Sequence, residues 1–447
     1  MIVSRPNSAT HASPAEYVLG VLSGGDVWRS FISYGESAPV SGDRAVIHIL
    51  PCGLFDNAVY GQLAGMPRLP LSEIDGVPLL FGKPVVERRG NTLIVHADIV
   101  ASTYFLTTRY EEWVRPEVRD QHGRFPGRES LAYRAGFLDR PIVDEYAALL
   151  RKWAREVGID VPEPRRRFSV LLTHDVDSLG SPRGPVQVAR CVASGLLGRR
   201  TPRRAVLDAC AAVGLRRDAA DNLDEVIRLD EQLTSRYPDR CRSVYFFMAG
   251  GSSPYDRTYR IRSAWMRDRL EQVARSGAEI GLHASYEAGE NPERVQTERQ
   301  TLQEASGLAI EKNRHHFLRW REPGHGQAIA DAGIRWDATL GYADVAGFRL
   351  GVCRPVPLFD PIACKPLGIE EHPLTVMDCT LDRPDYMNLD EEAAFDHVKK
   401  LIDATRRHQG EFVGLWHNTV LAANDRSYHK RLYHRVLDYL GNVLECG

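Results

Sequence analysis

The sequence predicts an α/β protein in which a mostly parallel sheet follows a smaller α+β domain. Two observations lead to this prediction. Short apolar runs recur along the C-terminal two-thirds of the chain, with amphipathic helical segments between them. Strands that alternate with helices in this way pair in parallel through right-handed crossovers. The second observation is the length of 447 residues, which exceeds what one ordinary core needs and indicates two domains.

The N-terminal part of the chain mixes β-branched runs with helical segments. Strands are predicted at 45–50 and 92–96, and helices at 99–113 and 146–157. The following segment, 161–167, is rich in proline and arginine and cannot continue a helix. We therefore predict an N-terminal domain of unknown function over residues 1–164 and a second domain over residues 165–447.

The second domain carries the strand–helix alternation. Buried strands are predicted at 168–172, 244–248, 278–282, 316–320 and 412–416. Helices over 264–276 and 292–306 lie between them, and a helical insertion rich in arginine is expected near 180–240. In folds with parallel strands the reactive groups gather at the C-terminal ends of the strands. Those ends are where we expect chemistry.

Composition and charge narrow the class of protein. The 57 basic residues nearly cancel the 59 acidic ones, so nucleic acid is not expected as a partner. The arginine-rich stretch 198–204 is interpreted as a solvated loop. Eight cysteines without a Cys-x-x-Cys pair argue against a thiolate zinc site and a disulfide scaffold. Because the start of the chain lacks signal-peptide features and no apolar segment is long enough to span a bilayer, we expect a cytoplasmic enzyme without a transmembrane segment.

Three of the predicted strands end in residues that suit a metal site. The first ends in Thr173-His174-Asp175-Val176-Asp177, the third in His283, and the last in His417. If the first segment stays extended, both aspartates point to the same side. One carboxylate could then bind a metal while the other takes a proton from water. Aspartate and histidine ligands that leave an open coordination position suit a hydrolytic, zinc-type centre.

The order of these segments resembles that in the NodB-type polysaccharide deacetylases, carbohydrate esterase family four. That pattern begins with Thr-Phe-Asp-Asp-Gly or an Asp-x-Asp variant, continues through His-[Ser/Thr]-x-x-His and an Arg/Pro segment, and ends with Leu-x-His. The matches run from about residue 168 to about residue 440, and each follows a predicted strand. The resemblance implies a distorted (β/α) barrel with fewer than eight strands. It also implies hydrolysis of an N-acyl group on an amino sugar.

Carried over residue by residue, the resemblance assigns roles to five side chains. Asp175 becomes the catalytic base and Asp177 a metal ligand. His283 becomes the first histidine ligand. His417, in Leu415-Trp416-His417, becomes the general acid. Arg319, or Arg321 beside it, matches the Arg/Pro segment, where a cation would orient the base carboxylate.

The sequence departs from the family at the second histidine ligand, where Glu287 stands four residues after His283. The third metal ligand is therefore either Glu287 or His316. His316 begins its predicted strand, which would place it low in the barrel. The fourth motif is matched weakly, by Trp336-Asp337 with its residue order reversed.

The expected function is metal-dependent removal of an N-acyl group, most simply acetyl, from an amino sugar in bacterial surface-polysaccharide or glycolipid metabolism. Zinc is the expected metal, with cobalt, nickel or manganese as alternatives. The expected substrate is an amino-sugar glycan, a glycolipid or a nucleotide sugar. Two alternatives stay open: a non-catalytic glycan-binding relative, because the second histidine is missing, and a glycosyltransferase that uses Asp175 and Asp177 for a metal–nucleotide.

The segment 109–125 resembles a domain of unknown function that precedes the deacetylase domain in an uncharacterised bacterial subgroup. Within it, His122 and Arg124 could contact substrate. A turn stabilised by Asp120 and Gly123 accounts for the same residues without a ligand, and we favour that interpretation.

Overall fold

The computed structural model describes residues 13–24, 27–37, 45–162, 166–179, 185–196, 221–256, 259–422 and 427–446, with isolated positions between 201 and 215. The fold is mixed α/β, as the sequence predicts. A four-stranded sheet and a two-stranded ribbon lie in the N-terminal part, and a nine-stranded sheet lies in the rest of the chain. The division into domains at residues 164 and 165 separates these sheets and stays a prediction.

The described residues of the N-terminal part form six strands. They are β1 (Ile32–Tyr34), β2 (Val46–Ile49), β3 (Ser72–Ile74), β4 (Val77–Leu79), β5 (Gly82–Arg89) and β6 (Thr92–Ala97). The sheet order is β1-β2-β6-β5, in which only β5 pairs antiparallel. Strands β3 and β4 form a hairpin through Asp75 and Gly76, both with positive φ, as a tight two-residue turn requires. The helices are Pro14–Ser23, Ile99–Thr107, Tyr110–Val114, Leu131–Arg134 and Ile142–Glu156.

The single helix predicted over 99–113 is wrong, because the chain forms two helices separated at Arg109. Arg109 adopts a left-handed conformation with φ of 54°. Its buried guanidinium binds the carboxylate of Glu322 and donates to the Thr107 carbonyl at 2.9 Å. Tertiary ion pairing therefore outweighs the helical periodicity of the segment.

The large sheet contains nine strands. They are β7 (Ser169–Val176), β8 (Cys241–Phe247), β9 (Glu279–Ala284), β10 (Lys312–His315), β11 (Trp336–Asp337), β12 (Val356–Asp360), β13 (Lys365–Glu371), β14 (Val376–Met377) and β15 (Glu411–Leu415). Their order is β12-β13-β11-β10-β9-β8-β7-β15-β14. Every pair is parallel except β12 with β13. The expected count of fewer than eight strands is wrong, since the two-residue strands β11 and β14 and the antiparallel pair β12 and β13 were not predicted as strands.

The strand predicted at 316–320 is also misplaced. The strand is β10, and His316–Leu318 forms a single 3-10 turn in which Phe317 and Leu318 have positive φ. The apolar run suggested a strand, whereas β10 itself reads Lys-Asn-Arg-His. Its last three side chains are fully buried. Asn313 donates to Asp337 on β11 and Arg314 to Thr173 on β7, whereas His315 shares a hydrogen bond with Asn313 of its own strand. A search for apolar runs therefore overlooks it.

The large sheet is curled into a half-barrel. Arg314 on β10 contacts Asp175 on β7, although β9 and β8 lie between them. Neighbouring strands are about 4.8 Å apart, so a flat sheet would separate β7 from β10 by about 14 Å. An apolar cluster fills the concave side, and its members include Leu171, Val244, Phe246, Trp336, Val413 and Leu415. No pairing joins the edge strands β12 and β14 among the described residues, so a closed barrel stays a prediction.

Most of the helices described in this part of the chain pack against the large sheet or against one another. The helices are Pro185–Leu196, Leu223–Thr234, Ala264–Arg275, Arg294–Ser306, His325–Asp331, Asp378–Asp382, Glu391–Arg407, Asn418–Leu421 and Tyr428–Glu445. The first two lie in the predicted insertion at 180–240. The arginine-rich stretch 198–204 lies outside the described residues except for Thr201. In the part of the chain that the structure describes, no helix is both long and apolar enough to cross a membrane.

The N-terminal part packs directly on the large sheet and its loops. Tyr17 stacks on Phe359 of β12 with ring centroids 4.5 Å apart. The buried carboxylate of Glu112 accepts two hydrogen bonds from Arg349, at 2.9 and 2.6 Å. Because paired buried charges hold a fixed geometry, these contacts fix the N-terminal part against the large sheet and its loops.

Candidate active site

The candidate site lies where β7, β9, β10 and β15 end. Because these strands are parallel, their C-terminal ends meet at one edge of the half-barrel. Asp175 and Asp177 come from the end of β7, His283 from β9 and His417 from the residue pair after β15. His316 immediately follows β10 and is therefore at the same edge. The expectation that His316 lies low in the barrel is wrong, because its strand ends at His315 rather than beginning at His316.

Three of these side chains form a potential metal site. Asp177 Oδ1 lies 3.5 Å from His283 Nε2 and 3.8 Å from His316 Nε2. The three potential ligand atoms all lie within 4.8 Å of one another. Ligands at about 2.0–2.2 Å from a tetrahedral zinc ion are separated by about 3.3–3.6 Å, so the spacing fits a bound divalent cation. In the described part of the chain, neither Asp177 Oδ1 nor His283 Nε2 has a hydrogen-bond partner, although both are buried.

The hydrogen bonds of the two histidines direct their Nε2 atoms towards Asp177. His283 Nδ1 donates to the Arg314 carbonyl at 2.9 Å, and His316 Nδ1 donates to Asp256 Oδ1 at 3.0 Å. Both partners are acceptors, so we infer that the proton is on Nδ1 and the lone pair on Nε2. Metal-binding histidines are commonly oriented in this way.

Asp175 lies beside this trio and is held by a buried arginine. Arg314 donates to Asp175 Oδ1 at 3.2 Å and to Thr173 Oγ1 at 2.7 Å. The other oxygen, Oδ2, lies 3.6 Å from His283 Nε2 and 3.9 Å from His417 Nε2. One carboxylate oxygen is therefore fixed by a cation, and the other faces the centre of the site.

The prediction that Arg319 orients Asp175 is wrong. Arg319 donates to the His122 carbonyl at 2.8 Å and pairs with Glu290 at 2.9 Å. The positive-φ turn that follows β10 carries Arg319 away from the centre, and Arg314 occupies the predicted place. Arg321, the alternative, lies against Gly123 of the N-terminal part.

Glu287 does not join the trio. It lies in a short 3-10 turn, Glu287–Gly289, where its carboxylate accepts from Ser252 at 2.7 Å and pairs with Arg294 at 2.9 Å. Of the two alternatives for the third ligand, the structure brings His316 to the site and leaves Glu287 outside it.

His417 lies beside Asp175, with Nε2 3.9 Å from Asp175 Oδ2, and is held by Asp378. Its Nδ1 donates to Asp378 Oδ1 at 2.8 Å, and its backbone N–H donates to Asp378 Oδ2 at 2.6 Å. Burial opposes a charged imidazole, but the carboxylate of Asp378 raises the pKa of His417 well above its ordinary value. A histidine that carries its proton near neutral pH, with Nε2 directed into the site, can donate a proton.

The neighbouring histidines shift the pKa of Asp177. Burial would raise the pKa of the Asp177 carboxyl, but the three surrounding histidines, His283, His316 and His417, lower it below its ordinary value. A carboxylate that stays charged in a buried position is the form that binds a cation.

Three residues of the site were not predicted from the sequence, namely Arg314, Asp378 and Asp256. Arg314 lies in a polar strand that resembles a loop in sequence. Asp378 follows the two-residue strand β14, whose preceding residues do form a short apolar run. Asp256 lies in the loop after β8, and only the folded chain brings its carboxylate to His316. Only Asp378 carries a sequence signal, a carboxylate directly after a short apolar run.

The weak fourth motif, Trp336-Asp337, forms strand β11, which pairs with β10. Asp337 is fully buried and accepts from Asn313 at 2.7 Å and from the Thr339 backbone N–H at 2.9 Å. Its carboxyl interacts electrostatically with that of Glu371, which is also fully buried. Burial raises the pKa of both carboxyls, and the charge of Asp337 raises that of Glu371 further.

Comparisons with known proteins cover different parts of the chain. A family model described as a family of unknown function (DUF7033) matches residues 28–158, which include the segment 109–125. Among solved structures, the chain is similar to a crystal structure named a "putative polysaccharide deacetylase" from Mycobacterium smegmatis. The two chains are 13% identical with a TM-score of 0.40, and the match covers 63% of this chain and 86% of that one. No curated protein matches the chain.

Proposed function

We propose that the protein is a metal-dependent hydrolase that removes an N-acyl group, most simply acetyl, from an amino sugar. The observation that carries the proposal is the trio of Asp177, His283 and His316, with Asp175 and His417 beside it. The resemblance of the same segments to polysaccharide deacetylases supports the choice of an amino sugar. The reaction needs a base for water and an acid for the departing nitrogen, and two suitable side chains face the same centre.

Asp177, His283 and His316 would hold the metal. One carboxylate and two imidazoles suit zinc, and also cobalt, nickel or manganese. A divalent cation in this position would supply Lewis-acid activation of water and of an acyl carbonyl.

Asp175 would accept the proton from the attacking water. Its Oδ1 is engaged by Arg314, so Oδ2 is the oxygen that can act. Thr173 Oγ1 donates to the Gly414 carbonyl and receives a hydrogen bond from Arg314. These contacts fix the guanidinium and, through it, the angle of the base.

His417 would donate a proton to the departing amine nitrogen. Asp378 holds the imidazole by Nδ1, which leaves Nε2 to carry the proton towards the substrate. The raised pKa of His417 keeps this proton in place at neutral pH.

The non-catalytic alternative depended on the missing second histidine. Because His316 supplies a third potential ligand, the missing second histidine gives no reason to favour a non-catalytic protein. The glycosyltransferase alternative gains no support from a site in which histidines surround the Asp-x-Asp segment.

We extend the proposal to a glycan, glycolipid or nucleotide sugar inside the cell, and detection of the native protein outside the cytoplasm would contradict this extension.

The test compares metal content and acetate release in matched variants. Asp177→Ala and His316→Ala should lose bound metal after purification and should release acetate from N-acetylated amino sugars at least about 100-fold more slowly. Glu287→Ala, four residues from His283 but outside the trio, is the control and should retain its metal. Equal metal content in all four proteins, including wild type, would refute the proposed site.

A further inference from the structure

One turn of the N-terminal part lies against the candidate active site. Residues 120–124 form it around Asp120, whose Oδ1 accepts from the backbone N–H groups of His122 and Arg124, both at 2.9 Å. Gly123 has φ of 75°, a conformation that glycine adopts at no steric cost. The turn predicted from the sequence is therefore present, but it also makes contacts that a purely structural turn does not need.

The turn binds the chain segment that directly follows His316. Arg124 donates to the Phe317 carbonyl at 3.1 Å, and Arg319 donates to the His122 carbonyl at 2.8 Å. A Cβ at Gly123 would lie 2.2 Å from the Arg321 guanidinium, so a larger residue there would displace the Arg321 side chain. Phe317 has φ of 60°, which is strained for an aromatic residue. The N-terminal turn thus stabilises an unfavourable conformation beside a potential metal ligand.

Four rings meet at this contact and form an aromatic cluster of His122, Tyr255, Tyr286 and Phe317. The ring of His122 lies 4.7 Å from Phe317, 5.4 Å from Tyr255 and 5.9 Å from Tyr286. Tyr255 and Tyr286 lie 4.5 Å apart at 36°. Tyr255 is 48% exposed, and Tyr286 and Phe317 are half-buried. The cluster therefore presents aromatic surface to solvent rather than completing a core.

The aromatic cluster adjoins the proposed metal site. The ring of Phe317 lies 4.7 Å from that of His316. Asp256, next to Tyr255 in the chain, accepts from His316 Nδ1 and from the Tyr286 backbone N–H at 2.8 Å. Phe317 follows His316 in the chain, and Asp256, the partner of His316, follows Tyr255. A molecule with one group at the trio would therefore extend over the aromatic cluster.

The chemistry of the aromatic cluster fits a sugar ring. A pyranose presents C–H groups on its faces and hydroxyls at its edge, which match an aromatic face bordered by polar groups. Tyrosine hydroxyls and the exposed side chain of Gln121 provide those polar groups. The guanidinium of Arg319 stacks 3.9 Å from the Tyr286 ring centroid and pairs with Glu290. These contacts fix the orientation of the Tyr286 ring.

We propose that the aromatic cluster is a saccharide subsite, completed by the N-terminal turn, for the sugar unit next to the one that reacts. Its location relative to the reacting unit rests on the proposed function. Tyr255 contacts the sugar with its exposed surface. Tyr286 supports Tyr255 from behind, because its own faces are covered by Tyr255 and Arg319. His122 is a positioning residue that holds Tyr286 by a 3.2 Å contact from Nδ1 to the tyrosine hydroxyl. His122, in the segment that the family model of unknown function matches, thereby acts in substrate binding.

The test measures binding of two probes, N-acetylglucosamine and its linear β-1,4-linked pentamer, by calorimetry. Tyr255→Ala and His122→Ala should each weaken pentamer binding at least fivefold and leave monosaccharide binding unchanged. Tyr133→Ala replaces another exposed tyrosine of the N-terminal part and should match wild type. Asp177→Ala should still bind the pentamer through the aromatic cluster. Circular dichroism checks that each variant is folded.

Steady-state kinetics separate a positioning role from general damage. Both variants should raise KM for the pentamer at unchanged kcat and unchanged metal content, whereas a folding defect would lower kcat for both probes. The subsite is refuted if wild type fails to bind the pentamer, or if Tyr255→Ala binds it as tightly as wild type does. If Tyr255→Ala weakens pentamer binding but no protein releases acetate, the subsite stands and the proposed function fails. If acetate release requires Asp175 while Tyr255→Ala binds normally, only the subsite fails.

Discussion

Arg314 on β10 binds Asp175 on β7 across two intervening strands, with Nη1 at 3.2 Å from the carboxylate. This contact is possible only because the sheet curls. It connects the half-barrel shape to the site, since the same guanidinium also binds Thr173 and lies 4.6 Å above the Phe246 ring. The curvature of the sheet therefore also determines the orientation of the proposed base, Asp175.

Replacing Arg314 by methionine should therefore affect both stability and activity. The change leaves the Asp175 carboxylate buried without its cation, which costs about 3–5 kcal/mol in comparable cases. We expect a loss of this size in urea unfolding and a fall in acetate release of about 100-fold or more. Arg319→Met is the matched control for kcat: Arg319 does not contact Asp175, so kcat should stay at the wild-type value, while KM rises because Arg319 supports Tyr286. A fall in kcat with Arg319→Met but not with Arg314→Met would show that the sequence-based assignment was right.

Asp378→Asn should change the pH dependence of the reaction. The Asp378 carboxylate raises the pKa of His417, so its removal lowers that pKa and His417 loses its proton at lower pH. The high-pH limb of kcat/KM should therefore move to lower pH, with a fall in the maximal rate of about 10- to 100-fold. Pre-steady-state or steady-state profiles over pH 5–10 would measure the shift. An unmoved limb would exclude His417 as the group that donates the proton.

Glu371→Gln should alter stability at high pH without touching the site. Burial raises the pKa of Glu371 in the folded protein, so its contribution to stability is present below the unfolded pKa and is lost as the pH rises through the folded pKa. Glutamine keeps an acceptor for the Leu340 N–H, which lies 2.9 Å from Oε1. The variant should be more stable than wild type by about 1–2 kcal/mol at pH 8, and the gain should shrink towards pH 4. A pH-independent difference in chemical denaturation would contradict this account.

The main elements of the site were predictable because chemistry-bearing residues followed apolar runs. Asp175, His283 and His417 each lie at the end of a strand that the sequence marks clearly, and parallel strands bring their ends together. Arg314 was not predictable, because β10 buries an asparagine, an arginine and a histidine, and a strand with that composition has no apolar pattern.

The choice between Glu287 and His316 also required the structure. Spacing along the chain favours Glu287, whereas the position of His316 depends on where β10 ends and on the left-handed turn at Phe317. That turn is stabilised by Arg124, which is 192 residues before His316 in the chain. Long-range contacts of this kind leave no local signature in sequence.

Anomalous diffraction from crystals grown with zinc would locate the proposed metal. We expect one strong peak at the zinc edge, about 2.0–2.2 Å from Asp177 Oδ1, His283 Nε2 and His316 Nε2. The peak should be absent in His316→Ala crystals and present in Glu287→Ala crystals. A peak coordinated by Glu287 instead of His316, or no peak between these three side chains, would contradict the account.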